Sequence, residues 1–320
     1  MIGKKLLEES MFYSYGITQI GSYHVDTGTV CQDSHMIRES NEGFIVAAVA
    51  DGLGSELYSD VASSIATEKA TEVCLNIITA DSDEEEILSA IKEGFSLALQ
   101  TIEETVNVNK HSLDQYDTTL TLAVIHDARL FYGHAGDSGI VALTTDGRFE
   151  KITEQIRDDY GRVFPLFYQD KWVFGQYDGS IKSVMLSTDG LLEPLFPTLL
   201  EEEPVKIHAS LAQFFMDPTR LHIEEDGEES TKARIEDFIG RIPSEQVNDD
   251  KTIVVIIDAD AAYSKQDESY YSEPDWIELK RKFDDKWERE LYPQRFDDQG
   301  NRIQENPLLE DEIKEGQVHA

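Results

Sequence analysis

Acidic residues recur in this chain where apolar runs stop beside a small or turn-forming neighbour. Asp33 lies in TVCQDSHMI, Asp51 in VADGLGS, Asp137 in HAGDSG, Asp189 in VMLSTDGLL, and Asp249 with Asp250 in VNDDKTIVVI. Taken singly, an Asp beside Gly or Asn is ordinary turn chemistry. Brought together, such carboxylates cannot all stay ionised without a counter-charge. The motifs bring no matching set of Lys or Arg with them. Hard divalent cations with oxygen ligands would supply the charge, and Mg²⁺ or Mn²⁺ suits carboxylates completed by water. A ligand set without His or Cys points away from zinc. In VADGLGS an apolar strand runs straight into Asp51, and Gly52 and Gly54 then permit a positive-φ turn or a close backbone approach.

The elements that would position these residues are legible from patterning. Runs rich in Val, Ile, Leu and aromatics predict strands over 16–22, 34–38, 43–50, 119–126, 130–135, 139–144, 184–187 and 252–258. TLTLAVIH and RLFYGHA read as a hairpin turning at Asp127-Ala128. Apolar residues at helical spacing predict long helices over 59–78 and 84–106, the second capped by Asp83 with three Glu in its first turn. Weaker helical patterns cover 211–216 and 231–239. Strands in hairpin-like runs with two long helices between them, without strict β-α alternation, predict mainly antiparallel sheets with helices on their outer faces.

After Asp258 the character changes. Residues 259–320 read as an acidic appendage, distinct from a core spanning 1–258. It comprises a polar linker, one amphipathic helix carrying Trp276, Leu279, Phe283 and Trp287 in a stripe, and a loose acidic end. The stripe suits docking on the parent domain or, alternatively, a partner. The aromatic-rich stretch 145–180 reads as an insertion facing substrate or partner, or as a covered sheet edge.

The chain has 320 residues, 40% of them hydrophobic, with 64 Asp and Glu against 28 Lys and Arg and a formal charge of −36. Such a surface repels nucleic acid and anionic membrane. It suits a well-solvated protein, divalent cations or basic partners. Cys31 and Cys74 form neither a disulfide framework nor a metal motif. No segment approaches the roughly 20 apolar residues of a membrane span, and MIGKKLLEES lacks a signal-peptide core. A cytoplasmic protein is the expectation.

In order and spacing the motifs resemble those of the metal-dependent serine/threonine protein phosphatases of the 2C type, in their bacterial branch. Gln32-Asp33 stands at that family's Glu-Asp or Gln-Asp. Asp51-Gly52-Leu53-Gly54-Ser55 resembles Asp-Gly-x-Gly-Gly, and Asp117-Thr118-Thr119-Leu120 resembles the Gly-Thr-Thr stretch. Gly136-Asp137-Ser138-Gly139 resembles Gly-Asp-Ser-Arg, Thr188-Asp189-Gly190 resembles Ser-Asp-Gly, and Asp249-Asp250-Lys251-Thr252 resembles the closing motif. The likeness spans about residues 15–258.

It implies a four-layer α-β-β-α sandwich and hydrolysis of phosphoserine or phosphothreonine in proteins. The attacking group would be a hydroxide bridging two Mn²⁺ or Mg²⁺ ions, with no covalent enzyme intermediate. By the same resemblance Asp51 bridges two metals, the Gly52 carbonyl binds one, and Asp189 and Asp249 hold the first. Asp33 acts mainly through bound water, and Asp137 with Asp189 matches a third, weaker site. Asp250 supports its loop. The expected partners are a phosphorylated protein and a cognate kinase or adaptor recruited through 259–320.

The chain departs from the family at Gln32, Leu53 and Gly139, and it lacks the Arg that many members carry in the stretch GSYHVDTGTVCQD. His24 is the nearest replacement for that phosphate-binding cation, or else an ordinary half-buried residue. His134 reads as structural and His35 as exposed. The losses leave an alternative open, a catalytically weak regulatory module that keeps the fold. An acidic scaffold whose Asp residues are only turns would show no metal dependence at all.

Overall fold

The apolar runs pair into two antiparallel five-stranded sheets in the computed structural model, which describes residues 12–297, 302 and 303. The strands are β1 (Phe12–Gln19), β2 (Asp33–Glu39), β3 (Ile45–Asp51), β4 (Leu120–His126), β5 (Arg129–Ala135), β6 (Gly139–Thr144), β7 (Phe149–Lys151), β8 (Val173–Tyr177), β9 (Ile181–Ser187) and β10 (Lys251–Asp258). One sheet runs β1-β10-β9-β6-β7 and the other β2-β3-β4-β5-β8. The helices are α1 (Ser22–Thr27), α2 (Ser59–Ile77), α3 (Glu84–Asn109), α4 (Asp189–Leu195), α5 (Ala209–Met216), α6 (Pro218–Leu221), α7 (Ile223–Asp226), α8 (Glu228–Gly240) and α9 (Trp276–Leu291).

Strand alternation sorts the core into layers. Ile45, Ala47, Val49, Ala123 and Ile125 of one sheet bury against Ile140, Ala142, Val184, Leu186, Val254 and Ile256 of the other. The intervening residues Val46, Ala48, Ala50, Leu122 and Val124 turn outward onto Ala62, Ala66, Ile91 and Phe95 of α2 and α3. On the opposite side, Ile17, Val141, Met185, Ile253 and Val255 pack on Leu192, Ala212, Phe215 and Ile235. The result is the expected α-β-β-α order. Strands buried on both faces lose the apolar–polar alternation, which is why β3, β4 and β10 read as continuous apolar runs.

Local signals agree with this. Asp83 forms a complete capping box with Glu86 at the start of α3. Asp127 and Ala128 both take positive φ, 49° and 56°, the geometry of a two-residue hairpin turn between β4 and β5. At the N-terminal end the structure differs from the pattern. β1 stops at Gln19, and residues 22–27 form a short helix closed by Gly28 at φ 72°. The two short strands inside 145–180 escape the pattern because β7 has only three residues and Gly175 interrupts β8.

Among the described residues, 12–197 together with 205–273 form one compact unit; 198–204 and those from 274 to 303 form another. Within the first, the segment after β10 is strapped down. Buried Lys182 donates to the Ala261 carbonyl at 3.0 Å, Ser264 N–H to Thr145 O at 2.8 Å, and the Tyr271 hydroxyl to Gly147 O at 2.8 Å. Within the second, α9 starts at an Asp275 cap and lays Leu279 and Phe283 against 198–203. Lys282–Glu203 at 3.3 Å and Lys286–Glu202 at 2.5 Å flank that contact. Trp287 remains 46% exposed and Ile277 85%. The acidic end beyond 303 lies outside the described residues.

Candidate metal centre

The centre is assembled at one end of the sheets by residues that terminate strands. β2 and β3 pair so that Asp33 lies directly opposite Asp51. Asp51 is held by the Asp117-Thr118-Thr119 stretch. Its N–H donates to Thr119 Oγ1 at 2.8 Å, and its carbonyl accepts from Thr119 N–H at 2.8 Å and Thr118 Oγ1 at 3.0 Å. Thr119 Oγ1 also meets Ser138 Oγ at 3.0 Å, which ties the β3 end to the turn carrying Asp137. That turn needs Gly136 at φ 103°. Asp189 follows β9 in the first turn of α4. A Cβ on Gly190 would lie 2.0 Å from the Asp250 carbonyl, so the Asp189 and Asp249-Asp250 loops touch through backbone.

Oxygens of Asp51, Asp137 and Asp189 lie within 4.8 Å of one another. Asp137 is 1% exposed, and its Oδ1 has no hydrogen-bond partner. Burial raises the pKa of each of the three, and their mutual repulsion raises Asp51 and Asp189 further; Asp189 is pushed up to about 7. Asp33 is buried and likewise raised, although it accepts from Thr188 Oγ1 at 2.8 Å. Asp249 is exposed and lies outside the group of three, yet its charge reaches both Asp51 and Asp189. Asp250 is buried and accepts from Gly21 N–H at 2.6 Å and Gln32 N–H at 2.7 Å, a brace for two loops.

Gly52 is required by space and not by φ. A Cβ there would lie 2.6 Å from Ser59 O and 2.8 Å from Gln32 O. Its N–H donates to Gln32 O at 3.1 Å. His24 sits in α1, 3% exposed, with Nδ1 2.9 Å from Asp250 Oδ1 but without hydrogen-bonding geometry to it. Gln32 is buried beside it and donates to the Glu56 carbonyl at 3.0 Å. His134 is structural, bridging Thr121 Oγ1 and Glu154 O. His35 is half-buried against Thr18 instead of exposed.

Patterning gave no cation for these carboxylates, and here the structure corrects it. Arg157, from the 145–180 stretch, donates through Nη2 to Asp137 Oδ2 at 2.7 Å, to Glu193 Oε1 at 3.1 Å and to Asp189 Oδ2 at 3.5 Å. Its Nε reaches Asp137 Oδ2 at 3.0 Å. Lys251 is 6% exposed, and the charges of Asp249, Asp250 and Asp33 bear on it. Arg157 lies 20 residues from Asp137 and 32 from Asp189 along the chain, in a segment without periodicity. Nothing in the sequence marks it as a neighbour of either.

The sequence model of the family described as Protein phosphatase 2C matches residues 20–238. The chain belongs to the protein phosphatase 2C family. Solved structures agree on the fold. The serine/threonine phosphatase Stp1 from Staphylococcus aureus is 14% identical, with TM-score 0.53 over 80% of this chain and 99% of that one. The S. agalactiae serine/threonine phosphatase is 15% identical, with TM-score 0.51 over 77% and 99%. A bacterial serine phosphatase is 13% identical, with TM-score 0.52 over 79% and 99%. No curated protein matches the chain.

Protein phosphatases 2C are metal-dependent, and the residues present fit a metal. Three carboxylates converge from three strand ends, Asp137 Oδ1 is buried without a hydrogen-bond partner, and the donors are all hard oxygens. Among the described residues no helix is long and apolar enough to cross a membrane.

Proposed function

We propose that this member of the protein phosphatase 2C family is a phosphoserine/phosphothreonine protein phosphatase dependent on Mn²⁺ or Mg²⁺. The observation that carries the reading is the convergence of Asp51, Asp137 and Asp189, with Asp137 Oδ1 buried and unpaired. Isolated turn residues have no reason to bring three carboxylate oxygens within 4.8 Å of one another. Burial raises all three pKa values, and mutual repulsion raises Asp51 and Asp189 further, a cost that a divalent cation offsets.

Asp51, Asp189 and Asp249, with the Gly52 carbonyl, would hold two metal ions, and Asp137 with Asp189 a third. Bound there, the metals supply activation of water and stabilisation of charge on a phosphoryl group. The chain's own residues prepare the place. The Thr118 and Thr119 hydroxyls fix the Asp51 backbone. Thr188 orients Asp33 opposite Asp51, so that Asp33 can accept a proton or hold a water at the edge of the cluster. Asp250 keeps the loops of Gln32 and Gly21 in place beneath the site. His24, turned against Asp250, supports that brace better than it supports a role on the phosphate.

The half-exposed Trp287 and exposed Ile277 of α9 support a partner-binding role for the C-terminal region, with a cognate kinase or adaptor as the partner class. An intracellular setting agrees with two free cysteines, one of them buried.

The test is hydrolysis of an aryl phosphate and of a phosphothreonine peptide with Mn²⁺, Mg²⁺ or chelator, in wild type and Asp51→Ala. Turnover that needs metal and disappears in the variant is the expected result. A folded wild-type protein that turns over neither substrate would favour the regulatory module.

A further inference from the structure

The carboxylate cluster already has a cation of its own, and it is mounted on a small hairpin. Residues 157 and 163 pair in an isolated antiparallel bridge, closed by Asp158 N–H to Arg162 O at 2.8 Å and Phe164 N–H to Ile156 O at 3.2 Å. The hairpin is anchored at its base, where Ile156 N–H donates to Gly136 O at 2.8 Å and Leu166 N–H to Thr118 O at 2.7 Å. Its tip is free, with Tyr160 86% exposed. Between base and tip, Arg157 reaches across to Asp137, Asp189 and Glu193.

This contact serves the cluster only in part. The guanidinium takes Asp137 Oδ2 and leaves the buried Oδ1 without a partner. Glu193, one turn into α4, accepts from the same Nη2 that meets Asp137 and Asp189, and it belongs to no motif. A divalent ion coordinated by Asp137 and Asp189 would stand within a few ångströms of the guanidinium, and two cations at that distance repel. The same oxygens cannot serve both fully.

Resting on the reading of this site as a metal centre, we propose that Arg157 is a tethered counter-cation that competes with a metal ion for Asp137, Asp189 and Glu193. Metal binding at those carboxylates releases the 157–163 hairpin, and hairpin seating expels the metal. Because binding and release share one equilibrium, any ligand that draws the hairpin away from Glu193 strengthens metal binding.

The experiment is Mn²⁺ titration calorimetry on the full chain in three forms: wild type, R157Q and R162Q. Arg162 sits on the same hairpin, 77% exposed at its side chain and paired with Asp158, so R162Q removes the same charge without touching the cluster. Melting without metal verifies that all three fold. The expected result is that the weakest Mn²⁺ site tightens about tenfold or more in R157Q and stays within about twofold of wild type in R162Q, within the ordinary range of coupling factors. Hydrogen exchange at the amides of 157–163 should speed up when Mn²⁺ is added to wild type. Equal affinity in R157Q and R162Q, or weaker binding in R157Q, overturns the competition alone. Absence of Mn²⁺ binding in all three overturns the metal centre and this inference with it.

Discussion

The Asp-Gly-Leu-Gly-Ser loop carries two glycines, and the structure gives them unequal work. At Gly52 an added Cβ would lie 2.6 Å from Ser59 O, 2.7 Å from Ser59 C and 2.8 Å from Gln32 O. All three are backbone atoms, one set at the start of α2 and the other just before β2. Neither can rotate away, so the loop or the α2 start must shift, at a cost of about 1–3 kcal/mol for overpacking of this kind. At Gly54 the nearest atoms to a Cβ are His24 Nε2 at 3.6 Å and Gln32 Oε1 at 3.7 Å, ordinary contacts, and the residue is exposed with φ outside the left-handed region. Gly54→Ala should therefore be neutral within about 0.5 kcal/mol, or slightly stabilising through the unfolded chain. For a domain of this size a loss of 1–3 kcal/mol lowers Tm by roughly 2–12 °C. The assay is paired thermal and urea unfolding of Gly52→Ala and Gly54→Ala in chelator, with Mn²⁺ affinity measured on whichever variants fold. Gly52→Ala should also weaken Mn²⁺ binding, because the backbone that must move carries Asp51. The reasoning is refuted if Gly52→Ala melts within about 1 °C of wild type, a span smaller than any overpacking cost allows, or if Gly54→Ala proves the more damaging change.

Two further outcomes follow from the same geometry. Asp189 moves from 3.8 to about 7 in the folded chain, so between those values the native state holds a proton that the unfolded chain has released; unfolding then releases protons and stability falls as pH rises through that window. Melting in chelator from about pH 5 to about pH 8 should show this decline, smaller in Asp189→Asn and largely removed by Mn²⁺; a wild-type decline unchanged in Asp189→Asn would refute it. Adjacent Asp249 and Asp250 should separate cleanly. Asp250→Ala strands the buried Gly21 and Gln32 amides and should cost about 2–6 kcal/mol by urea unfolding. Asp249→Ala, at an exposed position, should cost under about 1 kcal/mol while weakening Mn²⁺ binding in calorimetry.

Much of the architecture was legible because its signals are local. Asp83 and the three Glu behind it announce the start of α3, since a cap and its first turn are contiguous in sequence. The β4–β5 hairpin is legible for the same reason. What escaped detection was either short or shared with another element. β7 has three residues, and β8 takes its register from β5. The 16–22 stretch looked like a continuing strand because its pattern does not show that β1 pairs with β10 only as far as Gln19.

The motifs carrying Asp51, Asp137 and Asp189 stand out in the sequence because each lies where an apolar run meets a small residue, a pattern contained within a few positions. Their types also dictate hard-oxygen chemistry, which depends on composition alone. Only the tertiary structure decided which carboxylates meet. It brought Asp51, Asp137 and Asp189 together, left Asp249 at the margin, and turned Asp250 inward as a brace. It alone supplied Arg157 and Glu193, and it set His24 Nδ1 2.9 Å from Asp250 Oδ1. The physical reason is that a strand end or a helix cap is specified by its neighbours along the chain. A charge pair between a loop and a distant helix is specified by how two sheets and their covering helices pack, and no short stretch of sequence contains that.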